Sequence, residues 1–492
     1  MSRELTKSGT ATWCDKYHFT MAGAWFNCGK HMERKTSEAF FRKMPKNCGY
    51  VVNAGLAEFL EWVDNWQVSK ENLEYLRSCK NRAGGQLFNN DFLKFIDGQR
   101  LSVDIRAVPE GEVVFAGEPV LSVSGPCWQV EMVEAAYLNV LNAQAPIATK
   151  AARAVWAASS DGIKRPVFEF GLRRATELGG VTSTRAALIG GCAETSNCIV
   201  AQDMGLQGTG TMAHSWVLSF GDEVEAFKAY LQAYPYDGIL LVDTYDTRQG
   251  IKNAMKASRE TNIPLLGIRI DSGDLAYWGK EARKMFDEAG FKNTFIIASN
   301  DIDEFIIENL VSVQKAPYDI FAAGTKIVTA DDFKALGGVY KTKEYLGEDR
   351  MKVAQGKTTI PGATNVLRVV DNGQYAGDVI VRQDDERIKQ GKLDSVLTSY
   401  RLGSVEHQFK KFGAGTEVYP LLKEVVKGGK VIAPDMNYGI RELQQKAAGC
   451  INMLGDEYKR LQNPHIYGVG QEARIELRQQ QLIKAYQEDM GR

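Results

Sequence analysis

The chain has little of what stabilises small secreted proteins or marks a membrane span. Its 492 residues contain eight cysteines, and no two of them form a C-x-x-C pair. Disulfide scaffolds are denser in cysteine, and zinc ribbons and thioredoxin-like motifs need that spacing. We therefore predict mostly buried thiols in a reducing cytoplasm. The polar N-terminal segment predicts no signal peptide, and the absence of any run of 18 apolar residues predicts no transmembrane helix.

The sequence also lacks an excess of either charge. Lys and Arg number 60 and Asp and Glu number 61, which gives a net charge of −1. Near-neutrality argues against a nucleic-acid binder and against polybasic attachment to a membrane. The hydrophobic content of 44% and charged content of 25% are ordinary for a globular protein. At roughly 100–200 residues per domain, the length allows two to four domains.

The middle of the chain alternates short apolar runs with amphipathic stretches. The amphipathic stretches Glu223–Ala233, Gln249–Arg259 and Leu275–Ala289 predict helices. The runs are four to seven residues long and predict buried strands: Pro166–Phe170, Asn197–Ala201, Gly238–Asp243, Leu265–Asp271, Thr294–Ser299 and Asp319–Ala323. A repeat of this kind favours a parallel α/β barrel, with a doubly wound open sheet as the alternative.

The two ends of the chain follow a different pattern. Leu101–Pro126 alternates apolar residues between tight-turn signals, which predicts antiparallel strands. Helices are predicted around it at Leu56–Val63 and Val130–Leu141, and near the C-terminus at Glu472–Tyr486. We place the domain borders near 140 and 370. This divides the chain into 1–140, a central barrel of 141–370, and 371–492.

The predicted strands end in polar side chains, which a parallel barrel would gather on one face. Side chains such as Asp243 and Asn300 have a simpler explanation, because Asp, Asn, Ser and Thr also cap the helices that follow. A cation gains nothing at a helix N-terminus. Capping therefore leaves Arg173, Arg174 and Arg269 unexplained.

Three arginines at one barrel face indicate an anionic ligand, because a guanidinium binds phosphate or carboxylate through two parallel hydrogen bonds. Gly324 and Thr325 precede a predicted helix, where bare backbone N–H groups suit a phosphate. Asp271 and Asp274 suit Mg²⁺, which commonly takes one or two carboxylates together with ligand phosphates.

Histidine is scarce, with five in the chain, and one stands out. His214 lies in a glycine- and threonine-rich loop, Gly208–Trp216, that opens a predicted helix. The residues alone leave open whether it is a general base, a metal ligand or a nucleophile. The chain has no G-x-x-x-x-G-K-[ST] loop for a nucleotide phosphate.

Taken together, ten short motifs resemble nicotinate phosphoribosyltransferases, in order along nearly the whole chain. They are Asp15–Met21, Phe41–Pro45, Asn53–Leu56, Val108–Gly111, Phe170–Ala175, Gly210–Val217, Leu241–Thr247, Arg269–Leu275, Ser299–Asp303 and Asn463–Tyr467. The resemblance implies a type II phosphoribosyltransferase, an irregular parallel α/β barrel with a flanking α/β sandwich domain formed from both chain ends. It also implies a homodimer in which the Tyr17 segment reaches the partner's barrel.

The implied reaction joins nicotinate to phosphoribosyl pyrophosphate, giving nicotinate mononucleotide and pyrophosphate in NAD biosynthesis. ATP hydrolysis is coupled to it through a phosphohistidine, with Mg²⁺ present. By resemblance His214 is that histidine. The implied catalytic residues are His214, Arg269 and Asp271, and the implied substrate-binding residues are Tyr17, Phe170, Arg173, Thr211, Asp243, Gly324 and Thr325.

Several alternatives remain at this stage. A nicotinamide phosphoribosyltransferase would share the fold and mechanism, and His18 beside Tyr17 leaves the substrate preference open. A quinolinate enzyme would be shorter and would lack the histidine. Two alternative interpretations come from other functional classes: a non-catalytic metabolite sensor on the same fold, and a barrel sugar-phosphate isomerase.

Overall fold

The computed structural model describes residues 10–176, 179–354, 357–402, 408–433 and 438–489. The chain forms two units. The first unit comprises Met1–Pro146, Phe333–Tyr438 and Lys446–Arg492, and the second comprises Ile147–Asp332 and Gly439–Gln445. The predicted borders near 140 and 370 compare with observed borders at 146 and 332.

The strands are numbered in chain order. They are β1 Arg34–Phe41, β2 Val51–Val52, β3 Asp104–Ala107, β4 Val113–Val114, β5 Leu121–Pro126, β6 Val167–Glu169, β7 Glu194–Thr195, β8 Ile239–Leu241, β9 Gly267–Ile270, β10 Phe295–Ala298, β11 Ile320–Ala323, β12 Gly338–Tyr345, β13 Glu348–Asp349, β14 Thr364–Asp371, β15 Gln374–Arg382, β16 Leu397–Arg401, β17 Phe409–Phe412, β18 Glu417–Pro420, β19 Lys423–Lys427, β20 Lys430–Val431 and β21 Val469–Glu472.

The helices are named by their bounds. The longest, Cys127–Ala158, contains Pro146. The others are Lys16–Asn27, Leu56–Asn65, Lys70–Ser78, Asn90–Ile96, Gly179–Ile189, Cys198–Asp203, His214–Leu218, Glu223–Ala233, Thr247–Thr261, Leu275–Ala289, Glu304–Glu308, Thr325–Val328, Arg387–Gln390, Ile440–Asn452, Asp456–Lys459 and Ala473–Asp489. Within the described ranges, no helix combines the length and the apolar character that crossing a bilayer requires.

The second unit is built on a six-stranded parallel sheet in the order β7-β6-β11-β10-β9-β8. The first strand of the unit, β6, lies beside its last strand, β11, and β8 to β11 are neighbours in chain order. Five of the six apolar runs form strands here, which confirms that part of the prediction. The carboxyl ends of parallel strands lie at one edge of a sheet, so the loops after them are brought together.

The strand predicted from the sixth apolar run was wrong. Asn197–Ala201 is not a strand, because Cys198–Asp203 forms a short helix and the strand β7 lies just before it at Glu194–Thr195. A short apolar run does not distinguish a buried strand from a buried helical turn. Buried Asn197 marks the change, since its Nδ2 donates to the Gly180 carbonyl and to Thr184 Oγ1.

Three of the longer helices of the second unit begin where aspartates cap them. Asp222, Asp246 and Asp274 accept hydrogen bonds from backbone N–H groups in the first turns of Glu223–Ala233, Thr247–Thr261 and Leu275–Ala289. The capping expected of Asp243 and Asn300 was wrong, because the caps are Asp246 and Asp303, three residues further along each loop. Asp243 is thereby left for other contacts.

The first unit contains two larger sheets from distant parts of the chain. One is fully antiparallel with the order β13-β12-β1-β5-β3-β19-β20, and the other is mixed with the order β17-β16-β21-β15-β14-β18. The antiparallel strands predicted within Leu101–Pro126 are confirmed by the β3–β5 pairing. Strand β1 pairs with β5 on one side and with β12 on the other. This pairing puts residues 338–345 in the first unit.

The first unit contains a fully buried ion pair. Arg368 is fully buried, and its Nε and Nη2 donate to the two oxygens of Asp378 at 2.9 and 2.6 Å. The buried Glu118 lies 4.0 Å from Arg368 Nη2. Burial, followed by the nearby Asp378 carboxylate, raises the pKa of Glu118 well above its ordinary value.

Candidate active site

The loops after the parallel strands of the second unit enclose a cavity of about 420 Å³. Its wall combines cationic, carboxylate, hydroxyl and small side chains with one aromatic ring. The lining residues are Phe170, Leu172, Arg173, Arg174, Ser196, Gly210, Thr211, Met212, Ala213, Arg269, Asp271, Ser299, Asn300, Asp301, Ala322, Gly324 and Thr325. The structure therefore brings together seven of the eleven residues predicted for the site: Phe170, Arg173, Thr211, Arg269, Asp271, Gly324 and Thr325.

Two arginines follow strand β6. After Phe170 the chain enters a short 3₁₀ turn, Leu172–Arg174, that presents Arg173 and Arg174 to the cavity. Gly171 allows this turn to pack closely, because a Cβ there would lie 2.4 Å from Val328 Cγ1. Gly324 approaches the same strand end, since a Cβ on it would lie 3.0 Å from the Phe170 carbonyl oxygen.

Arg269 reaches the cavity from strand β9. Its Nη2 donates to the Met212 carbonyl at 3.2 Å, while its buried Nε has no hydrogen-bond partner among the described residues. Burial lowers the pKa of this guanidinium, and the carboxylates Asp271 and Asp243 oppose that effect. A buried donor without a partner is costly unless a ligand satisfies it. Arg269 is thus prepared to accept an anionic group.

Asp243 and Asp271 end neighbouring strands and are tied to each other. Asp243 Oδ2 accepts from the Asp271 N–H at 2.9 Å and from Ser272 Oγ at 2.6 Å. Asp271 Oδ1 accepts from Ser299 Oγ at 2.5 Å. Asp243 Oδ1 is buried and has no hydrogen-bond partner in the described part of the chain. Each carboxylate therefore has one oxygen held in place and one free for a ligand or cation.

His214 begins the helix His214–Leu218 and faces these carboxylates. Its Nδ1 is 3.1 Å from Thr244 Oγ1, and its Nε2 is 4.0 Å from Asp243 Oδ1 and 3.9 Å from Asp271 Oδ2. The side chain is 39% exposed, so a substrate can reach the ring. A ring held at one nitrogen and open at the other suits a nucleophile or a base.

Asp274 is engaged elsewhere. Its Oδ1 accepts from the Tyr277 N–H at 3.0 Å as the cap of Leu275–Ala289. Among the residues the structure describes, no three or more His, Cys, Asp or Glu side chains group as metal ligands. Mg²⁺ needs fewer carboxylates when phosphates supply the other oxygens. The Mg²⁺ assignment to Asp271 and Asp274 therefore stays a prediction.

Tyr17 belongs to the first unit and is 45% exposed. Its hydroxyl donates to Glu134 Oε2 at 3.0 Å, and burial, aided by the Glu134 charge, raises its pKa. His18 is fully buried, with Nε2 3.3 Å from the same oxygen. Burial raises the pKa of Glu134, but the hydrogen bonds from His18 and Tyr17 outweigh it and the pKa is lowered. His18 is thus not a substrate ligand in this arrangement.

Sequence reasoning missed three residues around the cavity. Glu169, Thr195 and Ser299 hold the loops that carry the lining residues. One signal was available: Glu169 is an acidic residue inside an apolar run that was itself predicted to be a buried strand. No local pattern marks Thr195, whereas Ser299 begins the motif Ser299–Asp303 and was not assigned a role.

Comparison with known proteins decides the family. The nicotinate phosphoribosyltransferase (NAPRTase) N-terminal domain model matches residues 12–142, and the C-terminal domain model of the same enzymes matches residues 364–476. The Bacillus subtilis nicotinate phosphoribosyltransferase is 36% identical over 468 residues, covering 92% of this chain and 91% of its own length. The chain belongs to the nicotinate phosphoribosyltransferase family.

More distant members extend the match. The nicotinate phosphoribosyltransferase of Caenorhabditis elegans is 29% identical, covering 94% of this chain and 91% of its own length. The crystal structure of human nicotinic acid phosphoribosyltransferase superposes with a TM-score of 0.79 at 25% identity, covering 95% of this chain and 99% of that one. The family's fold therefore runs through both units.

Proposed function

We propose that the chain joins nicotinate to 5-phosphoribosyl 1-pyrophosphate, giving nicotinate mononucleotide and pyrophosphate for NAD biosynthesis. The observation that carries the proposal is the cavity with three arginines, one of them with a buried unpartnered Nε, in a chain of this family. A pyridine carboxylate and a multiply phosphorylated sugar are both anions, and this wall offers cations to each.

Each lining residue has a proposed role in that reaction. Arg269 binds the nicotinate carboxylate, with Thr211 beside it and the Phe170 ring stacked on the pyridine. Arg173 and the backbone at Gly324 and Thr325 bind the phosphates. We propose that Tyr17 contacts nicotinate in the partner's barrel, which makes the working form a homodimer.

The chemical step asks for charge neutralisation and orientation. The pyridine nitrogen forms a bond to the anomeric carbon, whose bond to the pyrophosphate oxygen breaks with the electron pair leaving on that oxygen. Positive charge develops on the sugar and negative charge on the leaving group. Preorganised arginines stabilise the leaving charge, and a bound ring aligned with the anomeric carbon lowers the entropic cost.

ATP coupling is proposed to pass through His214. The ring is reachable, is held by Thr244 through Nδ1, and is close to two carboxylates that suit a phosphate-bound Mg²⁺. ATP supplies the phosphoryl group when bound. Phosphate on His214 would add roughly −1.5 to −2 charges at the ring if it resembles other phosphorylated side chains. Such a change reorganises the charges that meet the donor.

We further propose that the six parallel strands belong to the irregular α/β barrel of this family, and that the two larger sheets of the first unit form its α/β sandwich domain. The strand order supports this proposal. The first strand, β6, lies beside the last strand, β11, and the two edge strands, β7 and β8, are consecutive in the chain, as they would be around a barrel. The cytoplasmic location stays a prediction; all eight cysteines are free thiols, as a reducing compartment requires.

The proposal is tested by turnover with phosphoribosyl pyrophosphate and Mg²⁺, comparing nicotinate with nicotinamide, with and without ATP. We expect nicotinate mononucleotide, more of it with ATP, and ADP formed alongside. Arg269→Ala should lose about tenfold to a hundredfold in kcat/KM for nicotinate, since hydrogen bonds to charged groups contribute roughly 1.5–3 kcal/mol. Product from nicotinamide alone would assign the chain to the sister activity, and no product would favour a sensor.

A further inference from the structure

A buried carboxylate lies behind the cavity wall. Glu169 is the last residue of strand β6 and is fully buried. One of its oxygens accepts from the Gly171 N–H, and the other accepts from Thr195 Oγ1 at 2.6 Å. Burying a carboxylate is costly unless such bonds satisfy it. One bond goes to the turn that carries Arg173, and the other goes to Thr195 at the end of the neighbouring strand β7.

These bonds continue into a third loop. Ser196 N–H donates to the Glu169 carbonyl at 3.0 Å, and Thr209 N–H donates to the Thr195 carbonyl at 2.8 Å. The Glu169 side chain thereby joins the turn that carries Arg173 to the end of β7, and backbone bonds continue from there to the segment that leads to His214. Each of the three loops lines the cavity, through Arg173, Ser196 and Thr211 among others.

We propose that Glu169 is a positioning residue for phosphoribosyl transfer, fixing the Arg173 turn and the neighbouring loops in the arrangement that binds the donor's phosphates. The inference rests on the proposed function. Glu169 touches no substrate in this account, because it is buried behind the loops. It acts through Gly171 and Thr195. Without the Glu169 carboxylate, the Gly171 N–H and the Thr195 hydroxyl lose their acceptor and the turn is free to shift.

The expected kinetic signature follows from the geometry. Arg173 lies two residues after Gly171, whose N–H the Glu169 side chain binds directly, whereas Arg269 belongs to strand β9, to which the Glu169 side chain makes no hydrogen bond among the described residues. Loosening the turn should therefore raise KM for the phosphoribosyl donor more than KM for nicotinate. A displacement near 1 Å can cost about a hundredfold in rate, so an effect of at least about tenfold is expected.

The first pair of variants removes or preserves the bonds of Glu169. Glu169→Leu is similar in volume and leaves both donors without an acceptor, so the donor KM should rise at least about tenfold. Glu169→Gln can accept from the Gly171 N–H through its oxygen and donate to Thr195 Oγ1 through its amide nitrogen. The Gln variant should stay within about threefold of the parent.

The second pair of variants changes Thr195, the donor in the hydrogen bond to Glu169. This pair tests the positioning role even if Glu169→Leu fails to fold. Thr195→Val keeps the shape and loses the hydroxyl, whereas Thr195→Ser keeps the hydroxyl. The Val variant should raise the donor KM and the Ser variant should not. Thr195 Oγ1 also accepts from the Asn197 N–H at 3.0 Å, a bond that Ser preserves as well.

A matched control separates positioning from general stability. Glu304 is an equally buried carboxylate of the second unit, held by Lys150 Nζ at 2.8 Å and Arg153 Nε at 2.9 Å. Glu304→Gln should lower the melting temperature and leave the donor KM of the folded enzyme unchanged. Melting temperature and both KM values are measured for all five variants.

Two results would overturn the inference, and they differ. If the parent chain turns over as proposed while Thr195→Val and Thr195→Ser share one donor KM, Glu169 and Thr195 are purely structural. If the parent forms no nucleotide, the proposed function fails and the inference fails with it. A rise in donor KM for the Leu and Val variants, absent in Gln, Ser and the Glu304 control, supports positioning.

Discussion

At the scale of single residues, the site combines side chains that are held with side chains that are left free. Asp243 has one oxygen bonded to Asp271 and Ser272 and the other unpartnered among the described residues. Arg269 repeats the pattern, with Nη2 bonded and Nε free. Preorganised groups of this kind stabilise charge without having to reorganise during reaction.

His214→Ala gives the sharpest residue-scale prediction. Because the ring is partly exposed and its hydrogen bond is to a single hydroxyl, the variant should fold normally. Stimulation of turnover by ATP, and ADP release, should be lost. Product formation without ATP should remain measurable. Unchanged ATP dependence in the variant would exclude His214 as the phosphoryl acceptor.

Glu118 predicts a pH dependence of stability. Its raised pKa means that the folded state keeps a proton that an unfolded chain releases near pH 4.5. The free energy of unfolding should therefore fall as the pH rises from that value through the raised pKa, by up to about 1.4 kcal/mol per pH unit. Glu118→Gln removes this contribution, so the variant should gain stability over the parent as pH rises.

Urea unfolding of the parent and Glu118→Gln across pH 5 to 8 measures this difference. The exposed Glu417→Gln is the matched control and should follow the parent at every pH. A constant difference between Glu118→Gln and the parent would show that Glu118 does not hold a proton in the folded state.

At the scale of elements, local signals predicted what local physics determines. The helices Glu223–Ala233 and Leu275–Ala289 begin and end at the residues expected from their periodicity, because Asp222 and Asp274 cap them. The strand predicted for residues 197–201 was wrong, because a five-residue apolar run is too short to show the periodicity of a helix or a strand. Pairing of β1 with β12 joins residues about 300 apart in sequence, which no local pattern reports.

The same limit applies to the site. Arginines and small residues after strands predicted where the cavity is, since chain position fixes the strand ends. Glu169 was missed, because its partner Thr195 is 26 residues away in sequence and becomes its neighbour only when β6 and β7 pair. A residue that supports others can be recognised only from its contacts in the folded structure. A residue that contacts the ligand can be predicted from its type and its place after a strand.

Gly250→Ala is the element-scale prediction. Helix Thr247–Thr261 packs so closely on strand β8 that a Cβ at Gly250 would lie 1.9 Å from the Val242 carbonyl oxygen. The helix must shift, and overpacking of this kind costs about 1–3 kcal/mol. Thermal unfolding should occur several degrees lower in Gly250→Ala. Lys252→Ala, at an exposed position of the same helix, should melt with the parent; equal melting of both variants would contradict the close packing.

At the scale of the whole molecule, the proposed dimer makes a prediction by complementation. Tyr17→Ala impairs a residue of the first unit and Arg269→Ala a residue of the second. If each site takes Tyr17 from the partner, a mixed dimer has one intact site, and refolding an equal mixture should recover about a quarter of parent activity. Arg269→Ala mixed with Arg173→Ala should recover none. Equal recovery in both mixtures, or in neither, would exclude sharing of Tyr17.

The order of the strands in the first unit has a consequence for synthesis on the ribosome. Strand β1 ends at Phe41, but its partner β12 ends at Tyr345. At about 5–20 residues per second, one edge of β1 waits on the order of 15 to 60 s for its neighbour. An unpaired edge invites pairing with other chains. The nascent polypeptide must therefore be shielded until Tyr345 has emerged, and a product that ends before β12 would expose that edge permanently.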